Sequence, residues 1–179
     1  MMESSILLNE DEIALAINRI SLQVLEKNQK PGNLAIVGIH TCGVYIAQRI
    51  RSYIERQTSK LVPYGSLDIN LYRDDWSLIT QNPVVKTTDI GFDVEGKEII
   101  LVDDVLFTGR TIRAAMEALM DYGRPHSVQL AILIDRGGRE LPIQADYVGL
   151  NTTVRSDEKI QVMLQEQSGK DQVILENKL

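Results

Sequence analysis

The chain has 179 residues, of which 44% are apolar and 25% charged, and its formal net charge at pH 7 is −6. That length predicts a single domain over residues 1–179, and the negative charge disfavours nucleic-acid binding through bulk charge. No apolar run approaches the roughly 20 residues of a membrane span. The acidic start lacks a signal-peptide pattern and Cys42 is the single cysteine, so we expect a cytoplasmic protein without an internal disulfide.

The first predicted element is an amphipathic helix that begins after Asn9. The Asn9 side chain can cap this helix, with Glu12 three residues later as its capping-box partner. Apolar residues then recur at helical spacing, at Ile13, Ile17, Ile20 and Val24. The sequence Pro31-Gly32-Asn33 ends this unit, and the apolar run 34–39 predicts a buried strand.

A short polar loop follows that strand and reads His40-Thr41-Cys42-Gly43. A second helix is predicted near residues 44–57. Its inward-facing residues are Ile46, Ala47, Ile50 and Ile54. Because the first amide groups of a helix have no partner within the helix, the loop is a candidate anion site.

Apolar and polar residues alternate in the middle of the chain, and a mainly polar stretch follows. Leu67, Ile69 and Leu71 alternate with polar residues, which predicts a half-buried strand. The sequence Arg73-Asp74-Asp75-Trp76 comes next. We interpret the polar stretch 77–96 as a mobile hairpin, and a surface hairpin without a function is the alternative.

The stretch 98–111 has the clearest pattern in the chain. Its apolar run 99–102 is typical of a strand buried on both faces, and two adjacent carboxylates, Asp103 and Asp104, come next. The loop Thr108-Gly109-Arg110-Thr111 then leads into a predicted helix. The inward stripe of that helix is Ile112, Ala115, Met116, Leu119 and Met120.

This order of elements predicts a site for a phosphorylated sugar. Amide groups and the helix dipole attract phosphate at a helix start, and Gly109 lets the backbone approach closely. Thr108, Thr111 and Arg110 add hydroxyl donors and a positive charge. A carboxylate pair would repel phosphate, but it accepts hydrogen bonds from sugar hydroxyls or binds magnesium. Two structural carboxylates are the alternative, which the cost of burying unpaired charge disfavours.

The rest of the chain predicts further strands. Gly123 is expected to end the helix, and the strand 128–134 leads into Asp135-Arg136-Gly137-Gly138-Arg139-Glu140. Ligands bind at the carboxyl ends of strands in open α/β sheets, so this loop is a candidate binding site. Alternatively, Arg136 and Arg139 form a solvated pair that stabilises the turn. Segments 146–150, 160–164 and 173–175 predict strands, the last two around a turn at Ser168-Gly169.

Four segments resemble the type I phosphoribosyltransferases, which use 5-phosphoribosyl-1-pyrophosphate (PRPP). They read V-G-I-H-T-C-G from Val37, L-Y-R-D-D from Leu71, V-D-D-V-L-F-T-G-R-T from Val102 and L-I-D-R-G-G-R-E-L-P-I from Leu133. They occur in the family's order, and the resemblance narrows to its pyrimidine-regulatory members. It implies an α/β fold with a central, mostly parallel sheet flanked by helices, a flexible hairpin and a small base-binding hood.

The resemblance also implies roles for individual residues. The implied catalytic residues are Asp103, Asp104 and Arg73. The implied PRPP site is Asp103, Asp104, Val105, Leu106, Phe107, Thr108, Gly109, Arg110 and Thr111. Pyrophosphate would bind at His40, Thr41, Cys42 and Gly43, under a closing loop in which Asp74 and Asp75 orient Arg73. The base would bind at Asp135, Arg136 and Gly137. Mg²⁺ would bind with PRPP, either without a direct protein ligand or through Asp104.

The pyrophosphate loop departs from the family pattern. Members often carry Lys and Arg where this chain has His40 and Cys42, so we expect weaker pyrophosphate binding. Cys42 is either an inert small side chain or a thiol whose pKa the helix start lowers and which a bound ligand shields.

The implied reaction is uracil plus PRPP giving UMP and pyrophosphate. The second implied function is binding of pyrimidine operon leader mRNA in response to UMP or UTP, through Arg19, Lys27 and Lys30 and other basic residues of the two helices. A solvated helix surface is the alternative. Asn18, Leu22 and Gln144 depart from the family's RNA-binding residues.

A homodimer or homotetramer is implied by the resemblance alone. Two further alternatives are a regulator with weak enzyme activity and a purine phosphoribosyltransferase without RNA binding.

Overall fold

The computed structural model describes residues 4–29, 31–74 and 87–177. Its helices are α1 (Glu10–Lys27), α2 (Cys42–Thr58), α3 (Arg110–Met120) and the single turn α4 (Gln165–Ser168). Its strands are β1 (Ser4–Leu8), β2 (Leu34–Ile39), β3 (Tyr64–Leu67), β4 (Asp89–Ile90), β5 (Glu98–Leu106), β6 (Ser127–Asp135), β7 (Tyr147–Asn151), β8 (Glu158–Met163) and β9 (Gln172–Asn177).

A six-stranded sheet with the order β4-β3-β2-β5-β6-β7 forms the centre of the molecule. All its pairs are parallel except β3 with β4, which confirms the predicted, mostly parallel sheet. Strand β5 is apolar on both faces, because Ile100 and Val102 pack with α1 and α2 while Ile99 and Leu101 pack with α3. Buried parallel strands require such continuous apolar runs.

The capping box predicted for α1 is present. The Asn9 side chain accepts a hydrogen bond from the Glu12 amide at 3.0 Å, and Glu12 Oε2 accepts one from the Asn9 amide at 2.8 Å. The apolar stripes predicted for α1 and α2 are buried: Ile13, Ile17, Ile20, Val24, Ile46, Ala47, Ile50 and Ile54. No helix in the described ranges is long and apolar enough to span a membrane.

The second sheet has the order β1-β9-β8 and is antiparallel. We call residues 4–8 and 158–177, which contain β1, β8, α4 and β9, the hood. Its apolar side chains Ile160, Val162, Leu164 and Val173 are buried in the same core as α1 and α2. The predicted terminal strands and their turn are therefore confirmed, whereas the sequence did not indicate β1.

The alternation at Leu67, Ile69 and Leu71 does not form a strand, so that prediction is wrong. Strand β3 ends at Leu67, residues Asn70–Tyr72 form a 3₁₀ turn, and Leu71 is 71% exposed. The cause is local: Asp68 Oδ1 accepts a hydrogen bond from the Asn70 amide at 3.0 Å. Such a turn competes with strand pairing for the backbone donors.

Three smaller predictions are also corrected around β5 and α3. Asp103 and Asp104 lie within β5 rather than after it, because the strand continues to Leu106. Helix α3 ends before Gly123, with Asp121 as its C-cap. Met120 is 49% exposed. Eight residues turn a helix about 80° beyond two full turns, so Met120 has rotated away from Ile112 and the core.

Part of the expected hairpin lies outside the described residues, together with Asp75, Trp76 and Lys30. Within the described part, β4 pairs antiparallel with β3 at Gly65 and Ser66. The end of the predicted hairpin therefore forms an edge of the central sheet.

Candidate functional site

The candidate site lies at the carboxyl edge of the central sheet, where β2 and β5 are neighbours. The chain continues from β2 outward to β3, and from β5 in the opposite direction to β6 and β7. This reversal opens a crevice above the two strands, which is where open α/β sheets bind ligands. The loops that follow β2 and β5 are the two loops predicted from the sequence.

The start of α2 packs directly against β5. A Cβ added to Gly43 would lie 2.5 Å from the Val102 carbonyl oxygen and 3.0 Å from Asp103 Cα. A Cβ on Gly38 would lie 2.6 Å from Val44 Cα. Glycine is therefore required at both positions, and the loop of residues 40–43 lies beside the acidic pair. The peptide bond between His40 and Thr41 is cis.

Two adjoining cavities form the crevice. One has a volume of about 320 Å³ and is lined by His40, Thr41, Asp68, Ile69, Asn70, Arg73, Asp103, Asp104, Val105 and Thr111. The other has a volume of about 350 Å³ and is lined by Arg73, Asp74, Val105, Leu106, Phe107, Thr108, Gly109, Arg110, Thr111, Ile112 and Glu140. They share Arg73, Val105 and Thr111, so the acidic pair and the predicted phosphate loop open onto one continuous cleft.

Asp68, Asn70 and Glu140 line the cleft, although no sequence pattern had assigned them to it. Asp68 and Asn70 come from the turn after β3, where the sequence predicted a continuing strand. The Asp-x-Asn spacing is the signal that would have indicated a turn there. Glu140 lay at the end of a loop assigned to another part of the site.

The helix starts at the cleft differ from that of α1. The residues at the N-cap positions of α2 and α3, Thr41 and Gly109, make no side-chain capping hydrogen bond, whereas Asn9 caps α1. At α3 the hydroxyl of the preceding Thr108 accepts a hydrogen bond from the Arg110 amide at 3.3 Å. Gly109 is the residue before α3 and has φ of 92°, a conformation that favours glycine. A helix start whose N-cap residue supplies no capping side chain suits an anionic ligand, since its amides and dipole attract negative charge.

Arg110 links the phosphate loop to two acids. Its guanidinium donates to Asp74 at 2.6 Å and to Glu140 at 2.7 Å. These hydrogen bonds raise the pKa of Arg110, with the bond to Glu140 as the larger cause. Asp74 was expected to orient Arg73, which stays a prediction, and its ion pair with Arg110 places it against the phosphate loop.

The two acids of β5 have different surroundings. Asp103 is 5% exposed, and burial followed by the charge of Asp104 raises its pKa well above the ordinary value. Its Oδ1 accepts a hydrogen bond from the Asp104 amide at 2.9 Å. Asp104 is half-buried, and its Oδ1 accepts a hydrogen bond from the Val105 amide at 2.8 Å. Asp103 therefore lies against the sheet interior, and Asp104 is the more accessible of the two.

Replacing Asp103 with Asn should raise the melting temperature at alkaline pH. The pKa of Asp103 is higher in the folded protein than its ordinary value of 3.8. The protonated carboxyl therefore contributes to the free energy of unfolding below pH 3.8, and this contribution is lost as the pH rises through the folded pKa. Asn has no charge to bury. We expect Asp103→Asn to melt about 2–4 °C above the unsubstituted protein at about pH 8, with the gain disappearing towards about pH 4. A gain independent of pH in calorimetric melts would contradict this.

The loop after β6 is held by its own side chains. Asp135 accepts hydrogen bonds from the Gly137 amide at 3.0 Å and from Arg139. Arg139 also donates to the carbonyl oxygens of Phe107 at 2.9 Å and of Ile143 at 2.8 Å. Arg139 thus stabilises the turn, as the alternative interpretation held.

Arg136 is buried, so the solvated pair expected as an alternative is wrong for this residue. It is 7% exposed, and its guanidinium lies 4.1 Å from the centre of the Phe107 ring. Burial lowers the pKa of Arg136, and among the described residues no hydrogen-bond partner meets its Nε. Beside this loop is an open cavity of about 450 Å³, lined by Asp135, Gly137, Arg139, Asn151, Thr152 and Thr153. The sequence analysis did not indicate the last three.

The basic residues expected to bind RNA have partners within the chain. Arg19 donates to the Gly149 carbonyl oxygen, and Lys27 pairs with Asp146 at 2.7 Å. On α2, Arg49 pairs with two acids of the hood, and Arg51 pairs with Glu55 at 3.0 Å. Lys27, Arg49 and Arg51 are therefore compensated by acids, whereas Arg19 is bonded to a neutral carbonyl group.

The oxygen donors at the cleft fit a magnesium ion that is held partly by the ligand. No group of three or more His, Cys, Asp or Glu side chains arranged to hold a metal occurs in the described part of the chain. The carboxylates of Asp103 and Asp104 are hard oxygen donors of the kind that Mg²⁺ accepts. Mg²⁺ commonly keeps waters and takes phosphate oxygens beside one or two carboxylates, which agrees with this small donor set.

The whole chain is similar to known proteins. The family described as Phosphoribosyl transferase domain matches residues 3–167. The Bifunctional protein PyrR of Bacillus cereus is 50% identical over 180 residues, which cover 99% of this chain and 100% of that protein. That of Syntrophobacter fumaroxidans is 46% identical over 173 residues, covering 97% and 93%. The solved hypoxanthine phosphoribosyltransferase of Trypanosoma cruzi has a TM-score of 0.72 at 16% identity, covering 98% and 97%, a likeness of fold alone.

Proposed function

The chain belongs to the phosphoribosyl transferase domain family and to its PyrR members, and it has the type I phosphoribosyltransferase fold. We propose from this that it makes UMP and regulates pyrimidine genes. The enzymatic part of the proposal is the reaction of uracil with PRPP to give UMP and pyrophosphate. The regulatory part is UMP- or UTP-dependent binding of pyrimidine operon leader mRNA. We place both activities in the cytoplasm and in a homodimer or homotetramer.

The observation that carries the enzymatic proposal is the continuous cleft between the starts of α2 and α3. It presents an acidic pair in one cavity and the start of α3, with Thr108 and Thr111, in the adjoining one. PRPP has a ribose with a phosphate at one end and a pyrophosphate at the other. The cleft offers complementary groups in that order: the loop 108–111 for the 5′-phosphate, the acids for the ribose, and the loop 40–43 for the pyrophosphate.

The proposed mechanism rests on positioning and electrostatics. Asp104 accepts hydrogen bonds from the ribose hydroxyls, and its negative charge favours the cationic character that develops at the anomeric carbon. Asp103 supports Asp104 from the sheet interior, through the hydrogen bond between its Oδ1 and the Asp104 amide. Arg73 lines both cavities and attracts the negative charge of the leaving pyrophosphate. Asp104 would hold Mg²⁺ if a protein ligand does so directly, and the ion would supply further neutralisation of that charge.

The phosphate end of the ligand competes with acids for Arg110. In the structure this side chain already pairs with Asp74 and Glu140. A phosphate oxygen accepts the same guanidinium hydrogens, so we propose that the 5′-phosphate replaces one of these carboxylates as it enters the loop. Amides and hydroxyls at the start of α3 would bind its remaining oxygens.

Uracil recognition is proposed at the loop 135–137, through its backbone. The side chain of Asp135 is already bonded to Gly137 and Arg139, so the peptide groups rather than the carboxylate face the base. Arg136 contributes by holding the Phe107 ring between the two loops. Fixed amide and carbonyl groups can match a pyrimidine's carbonyl and N–H groups without a charged side chain.

RNA binding through Arg19, Lys27 and Lys30 is supported by family membership alone. Arg19 and Lys27 have partners in the structure, so RNA phosphates would have to displace the Gly149 carbonyl and Asp146. A regulator with weak enzyme activity is the second candidate. It is favoured by the loop of residues 40–43, in which Cys42 contacts the hood and no lysine or arginine is present.

The deciding experiment is a PRPP-dependent assay with Mg²⁺ in which uracil, guanine and hypoxanthine are compared. We expect UMP from uracil and no nucleotide from either purine. Nucleotide formation from guanine or hypoxanthine alone would identify a purine enzyme, and no product from any base would favour the weak regulator.

The regulatory part needs its own measurement. Because contacts to RNA phosphates depend on salt, the gel shift with pyrimidine leader RNA is run at about 0.15 M salt. It should show binding that UMP strengthens. Binding that is absent with and without UMP would exclude this part of the proposal.

A further inference from the structure

Arg49 of α2 forms a bidentate ion pair with each of two acids of the hood region. Its Nε and Nη2 donate to the two carboxylate oxygens of Glu166 at 2.9 and 2.6 Å. Its Nη1 and Nη2 donate to the two oxygens of Asp171 at 2.6 and 2.8 Å. The fork of a guanidinium matches a carboxylate in this way, which fixes direction as well as distance. We call Arg49, Glu166 and Asp171 the clasp.

The clasp fixes the turn between β8 and β9. Asp171 also accepts a hydrogen bond from the Gln165 amide at 2.6 Å, so one carboxylate joins the start of α4, the approach to β9 and the side chain of Arg49. The Arg49 side chain is 23% exposed and that of Asp171 is 11% exposed. Hydrogen bonds from Arg49 lower the pKa of both Glu166 and Asp171, so both acids are charged at neutral pH.

The hood contacts α2 a second time, at the pyrophosphate loop. Cys42 Sγ lies 3.3 Å from the side-chain oxygen of Gln167 and 3.9 Å from the carbonyl oxygen of Val162. Arg49 follows Cys42 by seven residues, which is almost two helical turns. The two side chains therefore share one face of α2, about 10 Å apart along its axis. Both contacts on that face reach the same short turn of the hood.

The apolar contacts of the hood do not by themselves define its position on α2. Val162, Leu164 and Val173 are buried in the core and hold the hood to the molecule. Apolar contacts are not directional, whereas two bidentate pairs are. Removing the clasp should therefore leave the hood attached while allowing it to move along α2. That movement would separate Gln167 from Cys42 and release the loop at the start of α2.

We propose that Arg49 is a positioning residue that locks the hood to α2 and so holds the pyrophosphate loop, residues 40–43, in its binding conformation. Hood and loop then move together, and PRPP binding depends on the clasp. The names of the ligands rest on the proposed function, whereas the mechanical coupling does not. This role differs from the RNA contact that a basic residue on α2 would otherwise suggest.

The single cysteine of the chain reports on the coupling directly. Cys42 is buried, so an alkylating reagent reaches it only when the hood opens. We expect Arg49→Gln to raise the rate of Cys42 alkylation by iodoacetamide about tenfold, as measured by mass spectrometry on the ligand-free protein. Arg49→Lys keeps the charge without the fork and should fall between the two.

The matched control is Arg51→Gln on the same helix. Arg51 pairs with Glu55 of α2 and not with the hood, so its loss should leave the alkylation rate unchanged. Circular dichroism should show every variant folded. An alkylation rate in Arg49→Gln equal to that of the unsubstituted protein, or an equal rise in Arg51→Gln, would overturn the proposal.

A kinetic readout separates positioning from a loss of stability. Arg49→Gln should raise the KM for PRPP about fivefold or more while kcat stays within about twofold, because the loop is bound less often in its active form but the reacting groups are intact. Faster alkylation with an unchanged KM would overturn the link to PRPP binding. If the unsubstituted protein makes no UMP, the proposed function fails, and the alkylation rates still decide the coupling.

Discussion

Replacing Asp104 with Asn should lower the rate of UMP formation by about 10²–10³-fold, the usual loss when one electrostatic contact to a transition state is removed. Asn keeps the size of the side chain and the oxygen that accepts the Val105 amide, but it loses the charge that faces the developing cation. The melting temperature should change by less than about 2 °C, because Asp104 is only half-buried. The measurement is kcat/KM for PRPP beside a thermal melt.

Asp93→Asn is the control for this substitution. Asp93 is exposed and also accepts a hydrogen bond from a nearby backbone amide, that of Glu95 at 3.0 Å, but it is not one of the cleft residues. It should leave the rate of UMP formation unchanged. A rate in Asp104→Asn equal to that of Asp93→Asn would remove Asp104 from the catalytic assignment.

Replacing Gly43 with Ala should both destabilise the protein and abolish most activity. The added methyl group would lie 2.5 Å from the Val102 carbonyl oxygen, which is backbone of a central strand and has no room to yield. Overpacking of this kind lowers the free energy of unfolding by about 1–3 kcal/mol. It would also push the start of α2 away from Asp103, and a displacement of about 1 Å at reacting groups reduces rates about 10²-fold.

Gly32→Ala provides the comparison, because a Cβ on Gly32 would meet no atom within 4 Å. Urea unfolding and the UMP assay should show this variant close to the unsubstituted protein. Equal behaviour of the two alanine variants would mean that α2 and β5 do not approach as closely as described.

Local patterns in the sequence predicted the parts of the fold that depend on local chemistry. The Asn9–Glu12 capping box and the stripe from Ile13 to Val24 need only the spacing of a helix, and both are present. The strand predicted from the alternation at Leu67–Leu71 was wrong, because the Asp68 side chain forms a turn that the periodicity of apolar residues does not indicate. The prediction that Met120 is buried was wrong, because a helical stripe rotates away from the core over two turns.

The site was predictable where one continuous stretch carries it. The acids and the phosphate loop lie within 103–111, and the structure brings them to the loop of residues 40–43 as parallel strands require. Asp68 and Asn70 joined the cleft through a turn that the sequence analysis had treated as a strand. The partners of Arg49 and Lys27 are more than 100 residues away in the chain, and no local pattern reports such pairs.

The pairing of β1 with β9 sets an order for synthesis on the ribosome. Ser4 of β1 lies opposite Glu176 of β9. Strand β1 is therefore made early, whereas the strand it pairs with is made late. The central sheet can form from residues 34–151 while β1 is still without a neighbour. Proteins fold from the N-terminal side as they are made, yet here the sheet of the hood cannot form until β9 has been made. A released chain that lacks residues 172–177 should therefore expose Cys42 to alkylation, although every strand of its central sheet is present.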